Sequence, residues 1–122
     1  MDRLLASYAL LYDPGDVAGC ADLFVDDCEF LVAGRRPVQG RDALQRYFEG
    51  VHAAGAAGIH LLGPALVDVS TDSATATMWQ SYYFVANGSN TIVRGMCRDD
   101  AVLDGDRWRF RRRDVELYPG RQ

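Results

Sequence analysis

Proton transfer near neutral pH needs an imidazole or a carboxyl group with a shifted pKa, and this chain of 122 residues has only two histidines, His52 and His60. They differ in setting. His52 stands at the end of a helical pattern among small residues, where a solvated or capping role is expected. His60 lies between Ile59 and Leu61 at the start of a strand pattern, so its ring points either into a cavity with Leu62 or out from the sheet. The carboxylate that would complete it is Asp13, in the stretch Tyr8-Ala9-Leu10-Leu11-Tyr12-Asp13-Pro14-Gly15-Asp16. Leu4, Leu5, Tyr8, Leu11 and Tyr12 recur at helical spacing, and Pro14-Gly15 stops that helix. The stop leaves Asp13 on the last turn. Helix-terminal carbonyl dipoles and partial desolvation there raise a carboxyl pKa toward the range of a general base; alternatively, Asp13 opens a turn and faces water. Set against His60, Asp13 would fix one imidazole tautomer and make a proton shuttle.

Other groups supply less. Tyr8 falls at the same end of the helix as Asp13, either as a core filler or as a phenol that holds a carbonyl or enolate oxygen. Gln80, Tyr82 and Tyr118 add donors around the same space, or fill and rim it. Ser7, Ser70, Ser73, Ser81 and Ser89 lack the setting of a nucleophile elbow, and the glycines spell neither a phosphate loop nor a dinucleotide fingerprint. Cys20, Cys28 and Cys97 are odd in number and without metal-ligand spacing, so neither a disulfide framework nor a metal site is expected.

The elements that must position these groups follow from periodicity. A second short helix, capped by Asp16, carries Val17, Cys20, Ala21, Leu23 and Phe24. Cys28 to Val32 is a strand, 33–37 a turn, and Val38-Gln39 a brief return strand. Gly40-Arg41-Asp42 opens a third helix with Leu44, Tyr47, Phe48 and Val51 on one face, ending near 52–55. From Ile59 onward the pattern is all strand. Ile59 to Val69 is one strand bent at Gly63-Pro64, and Ala74 to Ala86 is a long strand. Asn87-Gly88-Ser89-Asn90 is a hairpin turn, Thr91 to Leu103 returns, and Asp104-Gly105-Asp106 turns into Arg107 to Tyr118. Three helices before a strand meander predict one α+β domain over 1–122, a curved antiparallel sheet around a pocket covered by the helices. Alternation puts Ala74, Ala76, Met78, Gln80, Tyr82 and Phe84 on the pocket face and leaves Trp79 and Tyr83 for a subunit interface. Arg111-Arg112-Arg113 alternates too, so one arginine can reach inward against Asp99 or Asp114, while the default is a solvated face.

A net charge of −4 argues against non-specific binding to nucleic acid, despite the basic run from Arg107 to Arg113. No apolar run approaches the roughly 18 to 20 residues of a membrane span. The start Met-Asp-Arg-Leu-Leu lacks the basic region of a secretory leader, so a cytoplasmic protein with reduced thiols is expected.

With these residues in place the chain resembles the nuclear transport factor 2-like superfamily, in its SnoaL-like branch. That branch includes scytalone dehydratase, bile-acid dehydratase, a dehydrochlorinase, ketosteroid isomerase and polyketide cyclases. The likeness covers nearly the whole chain. It rests on 8–16, on Leu23-Phe24-Val25-Asp26-Asp27-Cys28-Glu29-Phe30, on Gly40-Arg41-Asp42-Ala43-Leu44, on the His60 strand, and on Gly105-Asp106-Arg107-Trp108-Arg109-Phe110. It implies a cone-shaped α+β barrel. It also implies a dyad in which His60 takes a proton from carbon next to an activating group and Asp13 orients and stabilises the imidazolium. Tyr8, with Tyr12 as second candidate, would polarise oxygen, with no metal or organic cofactor. Scytalone dehydratase adds a second histidine and an asparagine, where the corresponding strands here carry Tyr82 or Phe84 and Met96-Cys97; many relatives have tyrosine in place of Cys97. The acid set of ketosteroid isomerase is not reproduced. The resulting expectation is a cofactor-independent lyase, isomerase or cyclase acting on a small apolar, polyketide-like molecule. Asp13, His60 and Tyr8 would be its catalytic set, Tyr12, Phe30, Met78, Gln80, Tyr82 and Cys97 its substrate contacts, and a homodimer its assembly. The alternatives are a ligand-binding or dimerisation module without catalysis, or the small subunit of an oxygenase.

Overall fold

A computed structural model describes residues 2–33, 35–55, 58–86 and 92–118. Among these residues three helices, α1 (Asp2–Tyr12), α2 (Val17–Ala21) and α3 (Arg41–Ala53), accompany six strands. The strands are β1 (Phe24–Val32), β2 (Val38–Gln39), β3 (Gly58–Val69), β4 (Thr75–Ala86), β5 (Ile92–Asp104) and β6 (Arg107–Tyr118). They form one curved sheet in the order β2-β1-β6-β5-β4-β3, which is not closed. The architecture is α+β with the helices against the inner face. Among the described residues no helix is long and apolar enough to cross a membrane.

Two local expectations are corrected. The second helix stops at Ala21, and Leu23 and Phe24 leave it. The Phe110 amide donates to the Leu23 carbonyl at 2.8 Å, so pairing with β6 overrides helical periodicity and starts β1 at Phe24. The sheet is also not wholly antiparallel, because β1 runs parallel to β6, with Phe30 beside Arg113 and Val32 beside Val115. The meander from β3 to β6 leaves β6 with a free edge. The N-terminal strand supplies the missing neighbour, and α3, returning over the sheet, carries the chain from β2 to the far edge at β3. The Asn87 to Asn90 turn lies outside the described residues.

Two register shifts set which side chains point inward. On β3 the pairing slips between Leu62 and Ala65, at Gly63-Pro64, so His60 and Leu62 share the inner face with Ala65 and Val67 beyond the slip. Between β5 and β6 the slip falls at Asp100/Ala101, with Phe110 opposite Ala101 and Arg112 opposite Asp100. Phe110 and Arg113, three apart, are therefore both buried.

The inner space divides in two. At one end Phe24, Leu44, Met78 and Phe110 are fully buried and pack the core, and Phe48, buried too, stands between that core and the other end. The other end is where β1, β4 and β6 finish and β3 and β5 begin. The outer face of the sheet bears Leu61 at 52%, Leu66 at 62% and Tyr83 at 48% exposure. Trp79 lies on that face too, under the Arg98 guanidinium at 5.9 Å.

Candidate active site

The end of α1 is built to present a carboxylate. The Asp13 amide still donates to Ala9 O at 3.0 Å, and the chain then reverses, Gly15 N–H to Tyr12 O at 3.0 Å and Asp16 N–H to Leu11 O at 2.9 Å. Gly15 has φ +92°, a conformation that L side chains rarely adopt. The Asp13 carboxylate lands against the start of β3 and takes two bonds from one residue: Oδ2 accepts the His60 backbone N–H at 2.8 Å, and Oδ1 meets His60 Nδ1 at 2.6 Å. The two side chains are 16% and 13% exposed. An ionised carboxylate only accepts, so the proton of neutral His60 sits on Nδ1 and Nε2 keeps its lone pair.

His60 is walled by rings, with centroids of Phe84 at 4.8 Å, Tyr12 at 5.4 Å, Tyr82 at 5.6 Å and Tyr8 at 6.2 Å. Burial lowers its pKa below the usual 6.5; the Asp13 contact opposes this, and the Arg113 charge adds to it. The imidazole is therefore a neutral base at pH 7.

It opens on a cavity of about 290 Å³ at the open end of the sheet. Tyr8, Tyr12, Tyr47, Phe48 and Val51 form the helix wall; Phe30, Leu62, Gln80, Tyr82, Phe84 and Cys97 are on the sheet wall. Of the residues expected from sequence, Tyr8, Tyr12, Phe30, His60, Gln80, Tyr82 and Cys97 line it. Asp13 does not; it sits behind His60. Met78 is 0% exposed in the packed core, on the expected face but below the cavity.

Burial is the main force raising the phenol pKa values, well above 10 for Tyr8 and to about 12 for Tyr12, and Tyr82 moves the same way. All three remain O–H donors at neutral pH. Gln80 Nε2 donates to Gly63 O at 2.9 Å, which fixes the amide orientation and leaves Oε1 buried and without a partner among the described residues.

Of the run Arg111-Arg112-Arg113, whose default from sequence is a solvated face, Arg113 is the arginine that reaches inward, against Asp99. It is 3% exposed and lines the cavity. Its Cζ stands 4.1 Å over the Tyr8 ring and 4.9 Å over Phe110, and Nε is 3.5 Å from Asp99 Oδ1. Nη1 has no hydrogen-bond partner among the described residues. Burial pushes Asp99 up to about 6, against the pull of Arg113, so the carboxyl is still mostly ionised at pH 7. Asp99 directly across the ladder from Arg113 was the available signal. A neutral base, protonated phenols and a buried guanidinium around an apolar space can take a proton from carbon and hold the oxyanion that results.

The chain is similar in structure to an NTF2-like protein with a cystatin-like fold from Novosphingobium aromaticivorans: 30% identity, TM-score 0.85, 98% of this chain and 80% of that one. Rv3472, a Mycobacterium tuberculosis protein of unknown function, is 26% identical, with TM-score 0.84 over 99% of this chain and 70% of that chain. A candidate scytalone dehydratase from N. aromaticivorans, 23% identical with TM-score 0.83 over 98% and 86%, shares the fold. No protein of curated function matches the sequence. The SnoaL-like domain model matches residues 1–114, and the chain belongs to that family, within the NTF2-like superfamily.

Proposed function

We propose that this protein is a cofactor-independent acid–base enzyme, a lyase, isomerase or cyclase, acting on a small, mainly apolar carbonyl compound. The observation that carries the reading is the 2.6 Å contact between Asp13 Oδ1 and His60 Nδ1, with the imidazole on the wall of an apolar cavity. His60 Nε2 takes a proton from the carbon next to the carbonyl. Asp13 orients the ring and stabilises the imidazolium that forms. Tyr8, or Tyr82 across the cavity, donates to the developing enolate oxygen, and the Arg113 charge near Tyr8 favours it. His60 then returns the proton at another atom or to a leaving hydroxyl. Exposed Leu61, Leu66 and Tyr83 with Trp79 on the outer sheet face favour a homodimer through that face, to be checked by sedimentation.

The test is exchange of the α-protons of 2-tetralone in D2O, followed by proton NMR. The wild-type protein is expected to accelerate exchange, and His60→Ala is expected to lose the acceleration while keeping its circular dichroism. Acceleration unchanged in His60→Ala would refute the assignment.

A further inference from the structure

We infer that the molecule this cavity takes carries an anionic group, a carboxylate or its equivalent, and that Arg35 at the mouth receives it. The inference rests on the cavity being the substrate site and adds to that reading the chemical class of the substrate. Val32, Val93 and Leu117 stand at the strand ends that rim the cavity, and Arg35 lines it beside them. The Arg35 amide donates to Val32 O at 2.9 Å, which holds the residue close to the end of β1. Its side chain is exposed, and among the described residues it has no ion-pair or hydrogen-bond partner.

The chain as a whole carries −4, yet the described residues that line the cavity include two arginines and neither Asp nor Glu. The nearby acids are engaged behind the wall: Asp13 with His60, and Asp99 with Arg113. The inner cation is thus balanced by its own counter-ion, whereas the cation at the mouth has none among the described residues. A positive mouth in a negative protein draws anions. Desolvation fixes the orientation, because an anion resists entry into an apolar space and stays at the wet rim. The apolar body then fills the cavity, with the end remote from the charge directed toward His60. Arg35 is in this sense a specificity residue and takes no part in proton transfer.

The probe pair is 2-naphthoate and its neutral near-isostere 2-naphthamide, titrated into the full chain at neutral pH by calorimetry. Wild type is expected to bind the naphthoate at least ~5-fold more tightly, the scale of an ion pair at a rim. Arg35→Gln is expected to erase that preference by weakening the naphthoate alone, and Arg36→Gln, one residue along and off the cavity wall, to keep it. Added salt shrinks the preference by screening. Equal binding of the two probes by wild type overturns the inference and leaves the acid–base reading standing. So does a preference that survives Arg35→Gln or is lost equally in Arg36→Gln, which would assign it to another group or to the general surface field. If neither probe binds, the cavity is not a ligand site, and both readings fall.

Discussion

The two ends of the curved sheet hold the same kinds of residue and use them differently. At the closed end Phe24 and Phe110 pack with Leu44 and Met78 with nothing left exposed, their rings tilted at 41° with centroids 5.0 Å apart. At the open end Tyr8, Tyr12, Tyr82 and Phe84 stand around His60 at similar separations but enclose space instead of filling it. Polar groups follow the same division. The open end keeps an imidazole, phenol hydroxyls and a guanidinium in positions that close packing would forbid. What makes this tolerable is the closed end, which supplies the hydrophobic stabilisation that the cavity forgoes.

The contrast can be broken most sharply with matched truncations. Phe110→Ala is expected to cost about 3–5 kcal/mol of unfolding free energy, whereas Phe84→Ala, whose ring already borders empty space, costs clearly less. Urea denaturation of both variants measures the gap; equal losses would mean that the open end is packed like the closed one. Next in size, His60→Ala is expected to slow exchange ~100-fold to 10,000-fold, the range of a lost general base, with stability little changed. Asp13→Asn is expected to lower the rate by about 100-fold, because the amide cannot stabilise the imidazolium as a carboxylate does. Its KM should be nearly unaltered, since Asp13 does not touch the cavity.

The smallest effect is on pH. The pKa of His60 is lowered in the folded state, so the unfolded chain takes up that proton first, and stability falls as pH drops below ~6.5. Asp99 works in the opposite sense. Raised to about 6 when folded, it binds its proton more readily in the native state and adds stability as pH falls through that value. His60→Gln should therefore flatten the loss on the acid side, read by denaturation midpoints across pH. Exchange should reach its plateau by neutral pH, with an inflection below ~6.5.

Much of this was legible in the chain itself. Pro14-Gly15 marks the end of α1, so the position of Asp13 could be read directly, and strict alternation along β4 gave the inner face from Ala76 to Phe84. Depth was not legible: Met78 and Gln80 share a face, yet one is core and the other cavity wall, because distance along the strand from the closed end decides. Alternation also failed where a register slips. Counted in twos from Phe110, Arg112 should turn inward, and the slip at Asp100/Ala101 hands that place to Arg113. The parallel join of β1 and β6 has no local signal, since strand patterns carry no direction.

That join governs how the molecule comes into being. A nascent chain emerging from the ribosome makes β1 before the other five strands, but its neighbour on the β6 side, 107–118, is the last of the six to be synthesised. Until then the first helices and β1 lack their partner, and closing so long a loop is slow. Both proton-handling groups, Asp13 and His60, are translated before β4, while the Arg113 guanidinium that stacks on Tyr8 arrives with β6. The enclosure is therefore sealed only once β6 has been made, and a nascent chain cut short within that strand would expose apolar surface that chaperones recognise.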